Sequence, residues 1–344
     1  MHQKRKADHI RINIEENVTS ERISPGFERY SFAHCALPEL SLDAIDTSTE
    51  FLGKNLAAPL FISPMTGGTA KARSINRHLA QAAQASNIGL GLGSQRAALE
   101  DPSLVPTYQI RDVAPDILVL ANLGAVQLNY GYTTDHCQRA VDMVEADGLI
   151  LHLNPLQEAL QPEGQTNFAG LLPKIADVCR TLQVPIIVKE VGWGISDQVA
   201  RQLADAGVAA LDIAGAGGTS WSQVEMYRAQ NTPQREAATA FRDWGIPTVD
   251  SLRQVRQALP HLPLAASGGI RDGIEIAKAI ALGAQVCGVA GPFLAAAVES
   301  AEAVQQVIDK LVGQLRIVAF AVGARDMAAL SHTPLFEHLP GTTG

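Results

Sequence analysis

The hydrophobic pattern of the chain repeats from about residue 59 onward. Each repeat is a short apolar run that ends in glycine or a small polar residue, and an amphipathic helical stretch follows it. Glycine at the end of a helix supplies a left-handed residue, and a run rich in Val and Ile after it predicts a strand buried on both faces. The apolar runs span residues 59–65, 88–94, 116–124, 148–154, 185–191, 209–215, 263–268 and 285–291.

Eight strand–helix units at this spacing favour an α/β fold, a closed (β/α)₈ TIM barrel, although an open doubly wound sheet has the same local pattern. We predict an N-terminal extension at residues 1–58 that packs on the barrel mouth, the barrel at residues 59–331, and a C-terminal tail at residues 332–344. A long loop from about residue 216 to 246 follows the sixth strand, and long loops at this end of a barrel cover the active site.

The composition excludes several classes of protein. Hydrophobic residues make up 47% of the 344 residues, which is enough for a large core, and the net charge of −8 argues against nucleic acid as a partner. No apolar stretch reaches the roughly 18 residues that a membrane span needs, and no signal-peptide core follows the basic run at residues 2–6. The four scattered cysteines are typical of a reducing compartment. We therefore expect a cytoplasmic protein with no membrane partner.

Polar residues and glycines collect where the predicted strands end. All eight strands show this pattern, whereas a barrel without a site would have ordinary turn residues there. Because the carboxyl ends of barrel strands meet at one face, these residues predict a single site. The segments are Ser63–Thr69, Gly93–Arg96, Asn122–Gly124, His152–Glu158, Lys189–Glu190, Asp212–Thr219, Ser267–Arg271 and Ala290–Gly291.

The segment Ser267–Arg271, together with Ala290–Gly291 after the next strand, indicates a phosphate site. Glycines let the backbone approach a phosphate closely, and N–H groups at the start of a helix point toward the anion. Barrels commonly bind phosphate after their seventh and eighth strands, so we prefer this interpretation to tight turn packing. One such turn and the lack of a GxGxxG fingerprint favour FMN over FAD.

Lys189 ends an apolar strand and is expected inside the barrel mouth, where an unpaired ammonium group would be costly. It could form an ion pair with Glu190 or Asp212, or act as a Schiff-base lysine. The interpretation that we prefer is that Lys189 faces a flavin, because a nearby cation stabilises the reduced anion. Neutral donors to the ring carbonyls would come from Asn122, Thr66 and Thr219.

A carboxylate and two basic groups suggest how a second phosphate group is bound. Glu158 follows His152 and Gln157 after the fourth strand, where a carboxylate beside phosphate is unfavourable unless Mg²⁺ lies between them. Alternatively, Glu158 is a first-turn residue of a helix, where the helix dipole favours it. Arg96 and the Arg5–His9 cluster are the candidate partners of the phosphate, although the N-terminal cluster by itself would also suit a solvated tail.

These segments together resemble the type 2 isopentenyl diphosphate isomerases, a family of flavin-dependent enzymes. The resemblance runs in order from residue 5 to about residue 295 and depends on the combination of segments. The strings at residues 152–158 and 93–96 are uncommon ones. The matching segments are Arg5–Lys6 with His9, Met65–Gly68, Gly93–Ala97, Asn122–Ala125, His152–Glu158, Val188–Gly192, Ala214–Trp221, Trp244–Thr248, Ser267–Gly269 and Ala290–Gly291.

The resemblance implies an isomerase that interconverts isopentenyl and dimethylallyl diphosphate, with reduced FMN as acid and base, NADPH as reductant and Mg²⁺ on Glu158. Lys189, His152 and Gln157 are the residues expected to act in catalysis. The family also implies a homotetramer or homo-octamer. It assigns FMN to Met65, Thr66, Gly67, Ser94, Asn122, Lys189, Thr219, Gly268, Gly269, Ile270, Ala290 and Gly291, and the diphosphate substrate to Arg5, Lys6, Ser94, Gln95, Arg96, His152 and Gln157.

The alternatives are two other kinds of barrel enzyme and a non-catalytic protein. FMN-dependent 2-hydroxy-acid oxidases share the phosphate turn, but they have a catalytic histidine after the sixth strand, and none lies between Ala214 and Trp221. Barrels of the purine-nucleotide dehydrogenase type need a nucleophilic cysteine in the same loop, which this sequence also lacks. A flavin-binding protein without turnover is the third alternative, and the sequence argues against it less firmly.

Overall fold

The computed structural model describes residues 2–338, with side chains from residue 5 onward, and shows a closed barrel of eight parallel strands. Strands β4 to β11 follow one another around the barrel, and β11 pairs with β4. Each barrel strand lies within one predicted apolar run, so the TIM barrel is confirmed. The strands are β1 (Tyr30–Phe32), β2 (Thr49–Phe51), β3 (Lys54–Leu56), β4 (Leu60–Ile62), β5 (Gly89–Gly91), β6 (Val119–Gly124), β7 (Gly148–Leu153), β8 (Ile186–Glu190), β9 (Ala210–Asp212), β10 (Leu264–Ser267), β11 (Val286–Val289) and β12 (Leu335–Glu337).

Helices surround the barrel and bury their apolar faces against it, as Ile75 and Leu79 of α2 illustrate. Side-chain oxygens of Thr69, Ser196 and Asp272 accept first-turn N–H groups and so fix where three of these helices begin. No described helix is long and apolar enough to cross a membrane. The helices are α1 (His2–Glu15), α2 (Ala70–Ser86), α3 (Arg96–Glu100), α4 (Thr134–Met143), α5 (Pro155–Leu160), α6 (Leu171–Thr181), α7 (Asp197–Asp205), α8 (Trp221–Arg228), α9 (Thr232–Ala240), α10 (Thr248–Ala258), α11 (Gly273–Ala281), α12 (Gly291–Glu299), α13 (Ala301–Ala321) and α14 (Met327–Ser331).

The barrel interior is filled with apolar side chains at the end where its strands begin. Phe61, Leu120 and Ile187 from three strands pack there, and the β2–β3 hairpin adds Phe51 and Leu56 to the same cluster. Because this end is solid, open space inside the barrel is confined to the carboxyl ends of the strands.

The segments outside the barrel repeat pack on each other and on the barrel mouth. Helix α1 packs against α8 and α12, with Ile12 in a small core beside Val18 and Val224. The long loop after β9 folds into α8 and α9. Strand β1 of the N-terminal extension pairs antiparallel with β12, which belongs to the segment predicted as a tail. Residues 339–344 of that segment lie outside the described residues.

Candidate active site

A cavity of about 360 Å³ opens at the carboxyl ends of the barrel strands. Strand ends form its floor and walls, and α1 together with the start of α8 adds residues from outside the barrel. The predicted site residues that line it are Arg5, Lys6, Met65, Thr66, Ser94, Arg96, Asn122, His152, Gln157, Glu158, Lys189, Thr219, Gly268, Gly269, Ile270, Ala290 and Gly291.

Two of the predicted site residues, Gln95 and Gly67, do not line this cavity. The side chain of Gln95 is fully buried: Nε2 donates to the Ala140 carbonyl at 2.7 Å, and Oε1 accepts from the backbone N–H of Asn122 at 2.9 Å. Gln95 therefore holds strand β6 in place and does not face a substrate. Gly67 is covered by the ring of Tyr108, which a Cβ atom at Gly67 would overlap.

The predicted phosphate turn is built by close contact between two glycine segments. Gly268 and Gly269 have φ angles of 100° and 77°, a left-handed conformation that favours glycine. A Cβ atom on Gly269 would lie 2.7 Å from the carbonyl oxygen of Gly217, so only glycine lets the turns after β9 and β10 meet. Thr248 Oγ1 donates to the Gly268 carbonyl at 2.6 Å. Helix α12 begins at Gly291 on the same cavity and adds its N-terminal N–H groups.

Two hydroxyl groups at the cavity wall indicate that a polar ligand belongs there. Ser63 Oγ and Thr66 Oγ1 are buried and have no hydrogen-bond partner in the described part of the chain. Buried polar groups in native proteins rarely stay without a partner. With the glycine turn and the N-terminus of α12, these hydroxyls fit the polar ring and the phosphate of FMN.

Lys189 lies at the cavity floor as predicted, and it is paired. Its Nζ atom lies 2.7 Å from Asp212 Oδ2 and donates to Ser267 Oγ at 2.9 Å. Ser267 Oγ in turn donates to Asp212 Oδ1 at 2.6 Å. Glu190 is not the partner of Lys189, because Glu190 Oε2 accepts the backbone N–H groups of the next three residues. Burial nevertheless raises the pKa of Glu190 to about 7, although the hydrogen bonds from those N–H groups act to lower it.

His152 is held as a neutral imidazole. Burial, followed by the charges of Lys6, Lys189 and Arg5, lowers its pKa to about 3. Its Nδ1 atom lies 2.8 Å from Asn122 Oδ1, which can only accept, so Nδ1 carries the proton. The Nε2 atom is therefore an acceptor. His152 can orient a ligand by hydrogen bonding, but it is not a cationic proton donor at neutral pH.

Glu225 of α8 is a buried carboxylate that joins three helices over the cavity. Its Oε1 atom accepts from Gln157 Nε2 at 3.2 Å and lies 3.2 Å from His9 Nε2, while Arg228 binds the other oxygen. Burial alone would raise the pKa of Glu225, but the hydrogen bond with His9 and the charge of Arg228 hold it below its usual value. Helix α1 is thereby fastened to α8 and to Gln157 of α5.

Besides Lys189 and Arg271, three cationic side chains line this cavity. Arg5 and Lys6 come from α1 and Arg96 from α3. Burial, followed by the charge of Arg5, lowers the pKa of Lys6 to about 8. Burial also lowers the pKa of Arg5, although the negative charge of Glu163 acts to raise it. Cations that are buried at such a cost suit an anionic ligand, which would stabilise their charged forms.

Glu158 is a first-turn residue of α5 and also a buried wall of the cavity. Its carboxylate accepts from Asn154 Nδ2 at 3.0 Å, from Gln161 Nε2 at 2.6 Å and from the N–H of Gln165 at 2.6 Å. These three donors leave one lone-pair position on Oε1. Both predicted interpretations of Glu158 are therefore compatible with the geometry.

The donor set at Glu158 fits Mg²⁺ that is shared with a phosphate ligand. The amide oxygens of Asn154 and Gln161 are buried beside it and have no hydrogen-bond partner in the described residues. Hard cations such as Mg²⁺ prefer oxygen ligands and are often bound by one carboxylate plus phosphate and water. No group of three or more His, Cys, Asp or Glu side chains in the described chain could hold a metal by itself.

Several residues at the cavity were not among the predicted site residues. Some of them, such as Asn154 and Ser267, lie in the strand-end segments, and that position marked them in the sequence. Gln127 lies in the 3₁₀ helix Ala125–Asn129 and Trp221 at the start of α8, where no strand-end signal applies. The added residues include Asn13, Ser63, Gln127, Asn154, Gln161, Trp221, Ser267 and Arg271.

Solved structures with this fold include flavin enzymes. A mandelate oxidase variant with a monooxide FMN adduct is 15% identical, with a TM-score of 0.65 over 95% of each chain. A flavocytochrome b2 variant with pyruvate bound is 16% identical, with a TM-score of 0.71 over 97% of this chain and 82% of that one. At such low identity these likenesses show the fold alone.

Sequence relatives are far more similar. The chain is 57% identical to an isopentenyl-diphosphate delta-isomerase of Synechococcus sp. over 95% of this chain and 94% of that protein. The isopentenyl-diphosphate delta-isomerases of Nostoc sp. and Rickettsia bellii are each 53% identical over 98% of this chain, and over 96% and 98% of their own lengths. The model of the family described as FMN-dependent dehydrogenase matches residues 2–103 and 154–337. The chain, with its flavin-type glycine turn, therefore belongs to the FMN-dependent, type 2 family of isopentenyl-diphosphate delta-isomerases.

Proposed function

We propose that this isomerase interconverts isopentenyl and dimethylallyl diphosphate with reduced FMN in the barrel mouth, Mg²⁺ at Glu158, and NADPH as the reductant that first reduces the flavin. The observation that carries the proposal is that one cavity is lined both by an FMN-type glycine turn and by Arg5, Lys6 and Arg96. A flavin phosphate and a substrate diphosphate each find suitable groups there.

The bound groups supply two kinds of chemistry. Reduced FMN, when bound, offers a proton-transfer atom at N5, and Mg²⁺ offers positive charge to the diphosphate. The carboxylates at or near the cavity are engaged: Asp212 is paired with Lys189, Glu225 is bound by His9 and Arg228, and Glu158 accepts three hydrogen bonds. This supports a proton transfer that depends on the cofactor.

The chain's own residues bind the substrate and keep it away from water. Arg5, Lys6 and Arg96 would bind the diphosphate. His152 would stay neutral and offer its Nε2 atom as a hydrogen-bond acceptor. Proton transfer to an unactivated alkene requires a dry pocket. Trp221 supports such a pocket, because its ring lies edge-on to the His9 ring at 5.1 Å and ties α1 to the mouth.

An oxidase-type reaction has little support at this site. The residues that the loop after β9 contributes to the cavity are Ala214, Gly218, Thr219 and Trp221. None of these side chains accepts a proton from a hydroxy acid. The fold that this chain shares with mandelate oxidase therefore does not carry over the oxidase chemistry.

Product yield per NADPH oxidised distinguishes an isomerase from an oxidoreductase. Because isomerisation leaves the redox state of the substrate unchanged, NADPH is needed only to reduce the flavin once, and we expect many products per NADPH. Dithionite should replace NADPH fully under anaerobic conditions. The measurement is chromatography of the dimethylallyl product from isopentenyl diphosphate alongside NADPH absorbance. One NADPH consumed per product would overturn the proposed reaction, and bound FMN without any product would favour a non-catalytic flavoprotein.

A further inference from the structure

Asp212 lies just behind the floor of the cavity, next to Lys189. The parallel register of β8 and β9 sets Lys189 directly beside Asp212, and β10 places Ser267 on the other side. Lys189 and Ser267 line the cavity, whereas Asp212 does not and is only 1% exposed. Asp212 therefore reaches the cavity only through the two groups that it holds.

We propose that Asp212 is a positioning residue for the isomerase reaction: it fixes the Lys189 ammonium group at the cavity floor, offsets its charge, and thereby sets the reduction potential of the bound FMN. The inference rests on the proposed function with the flavin placed against Lys189, as predicted from the sequence. Ser267 completes the arrangement, because its hydroxyl accepts from Lys189 and donates to Asp212. The Ser267 hydroxyl is thus both acceptor and donor, and the Lys189 ammonium group is held from two sides.

The electrostatic consequence follows from the 2.7 Å separation of Lys189 Nζ and Asp212 Oδ2. An isolated ammonium group beside a flavin stabilises the reduced anion, and the effect is strong where water is excluded. A carboxylate in direct contact with the ammonium cancels most of that field. The pair therefore keeps a hydrogen-bond donor against the flavin without making the flavin strongly oxidising.

The test is the ratio of the affinities for reduced and oxidised FMN, which the reduction potential of the bound flavin reports. We expect Asp212→Asn to raise this ratio at least tenfold. For a two-electron couple, a tenfold change raises the reduction potential by about 30 mV. Lys189→Met should lower the ratio by a similar factor, because it leaves the carboxylate alone. The double variant should return close to the wild-type value. The potential of each variant is measured by titration with dithionite and a reference dye at one fixed pH.

Two controls separate this role from a purely structural one. Asp205→Asn makes the same substitution at an exposed site on α7 and should leave the ratio unchanged. Thermal unfolding of each FMN-loaded variant measures the loss of stability, which a structural role would also produce. If Asp212→Asn does not fold, Lys189→Met is compared with the double variant, in which neither charge is left unpaired.

The outcomes distinguish the inference from the function on which it rests. If Lys189→Met lowers the ratio but removal of the Asp212 charge changes it less than twofold in either background, Asp212 does not set the potential and the inference is wrong. If Lys189→Met itself leaves the ratio unchanged, FMN is not against Lys189, and that part of the proposed function is overturned instead.

Discussion

Replacing Glu158 with glutamine is expected to lower kcat/KM by on the order of 100-fold, about 2.7 kcal/mol of transition-state stabilisation, if Glu158 binds the Mg²⁺ that neutralises the diphosphate. FMN should stay bound, because the glycine turn at Gly268 and Gly269 makes none of the hydrogen bonds that Glu158 accepts. The measurement is turnover per FMN-loaded site at several Mg²⁺ concentrations. In the variant, added Mg²⁺ should restore little of the lost activity.

A stability measurement has to accompany this experiment, because the structure gives Glu158 a second task. Its carboxylate accepts three hydrogen bonds, and a glutamine amide would turn an NH₂ group toward one of those donors. The loss of folding free energy should be about 1–3 kcal/mol, more than a helix-dipole contact alone would cause. Gln161→Ala is the comparison variant: it removes one of the same hydrogen bonds and one nearby amide oxygen but keeps the carboxylate, so it should lose less activity than Glu158→Gln. Normal turnover per FMN-loaded site in Glu158→Gln would return Glu158 to a structural role.

The barrel was predictable because its signals are local. A strand buried on both faces is a continuous apolar run, and a glycine before it ends the previous helix, so the runs at residues 209–215 and 285–291 predict β9 and β11 without any tertiary information. The segment predicted as a tail is different. Residues 335–337 become β12 only because β1, some 300 positions earlier, offers an edge, as the Phe32–Leu335 pairing shows.

The same contrast explains which site residues the sequence predicted. Residues at strand ends, such as Lys189 and Asn122, reach the cavity because the barrel geometry directs them there. Gln95 follows a strand end as well, but its side chain turns back to bind the Ala140 carbonyl and β6. The sequence does not show the direction of this side chain. Glu225 lies in the middle of a helix, and its contact with His9 spans 216 positions, so no periodicity marks it.

The N-terminal helix α1 provides the second large expected effect. Replacing both Arg5 and Lys6 with alanine should lower kcat/KM for isopentenyl diphosphate by at least about 100-fold, since charge-assisted hydrogen bonds contribute about 1.5–3 kcal/mol each. Most of the change should be in KM. The barrel and its FMN should be unaffected, because His9, Ile10 and Ile12 still anchor α1. Arg11→Ala is the matched control, since Arg11 on the same helix makes only an exposed pair with Glu15.

The pH profile of kcat/KM tests whether Lys6 itself binds the diphosphate. In the substrate-free protein, burial and the charge of Arg5 lower the pKa of Lys6 to about 8, so the ammonium form that binds an anion is lost as the pH rises above that value. Because kcat/KM reports the ionisation of the free enzyme, it should fall up to tenfold per pH unit above about 8. Lys6→Arg keeps the positive charge and should stay active to higher pH, since arginine does not lose its proton there. An alkaline fall that persists unchanged in Lys6→Arg would assign the ionisation to a group other than Lys6.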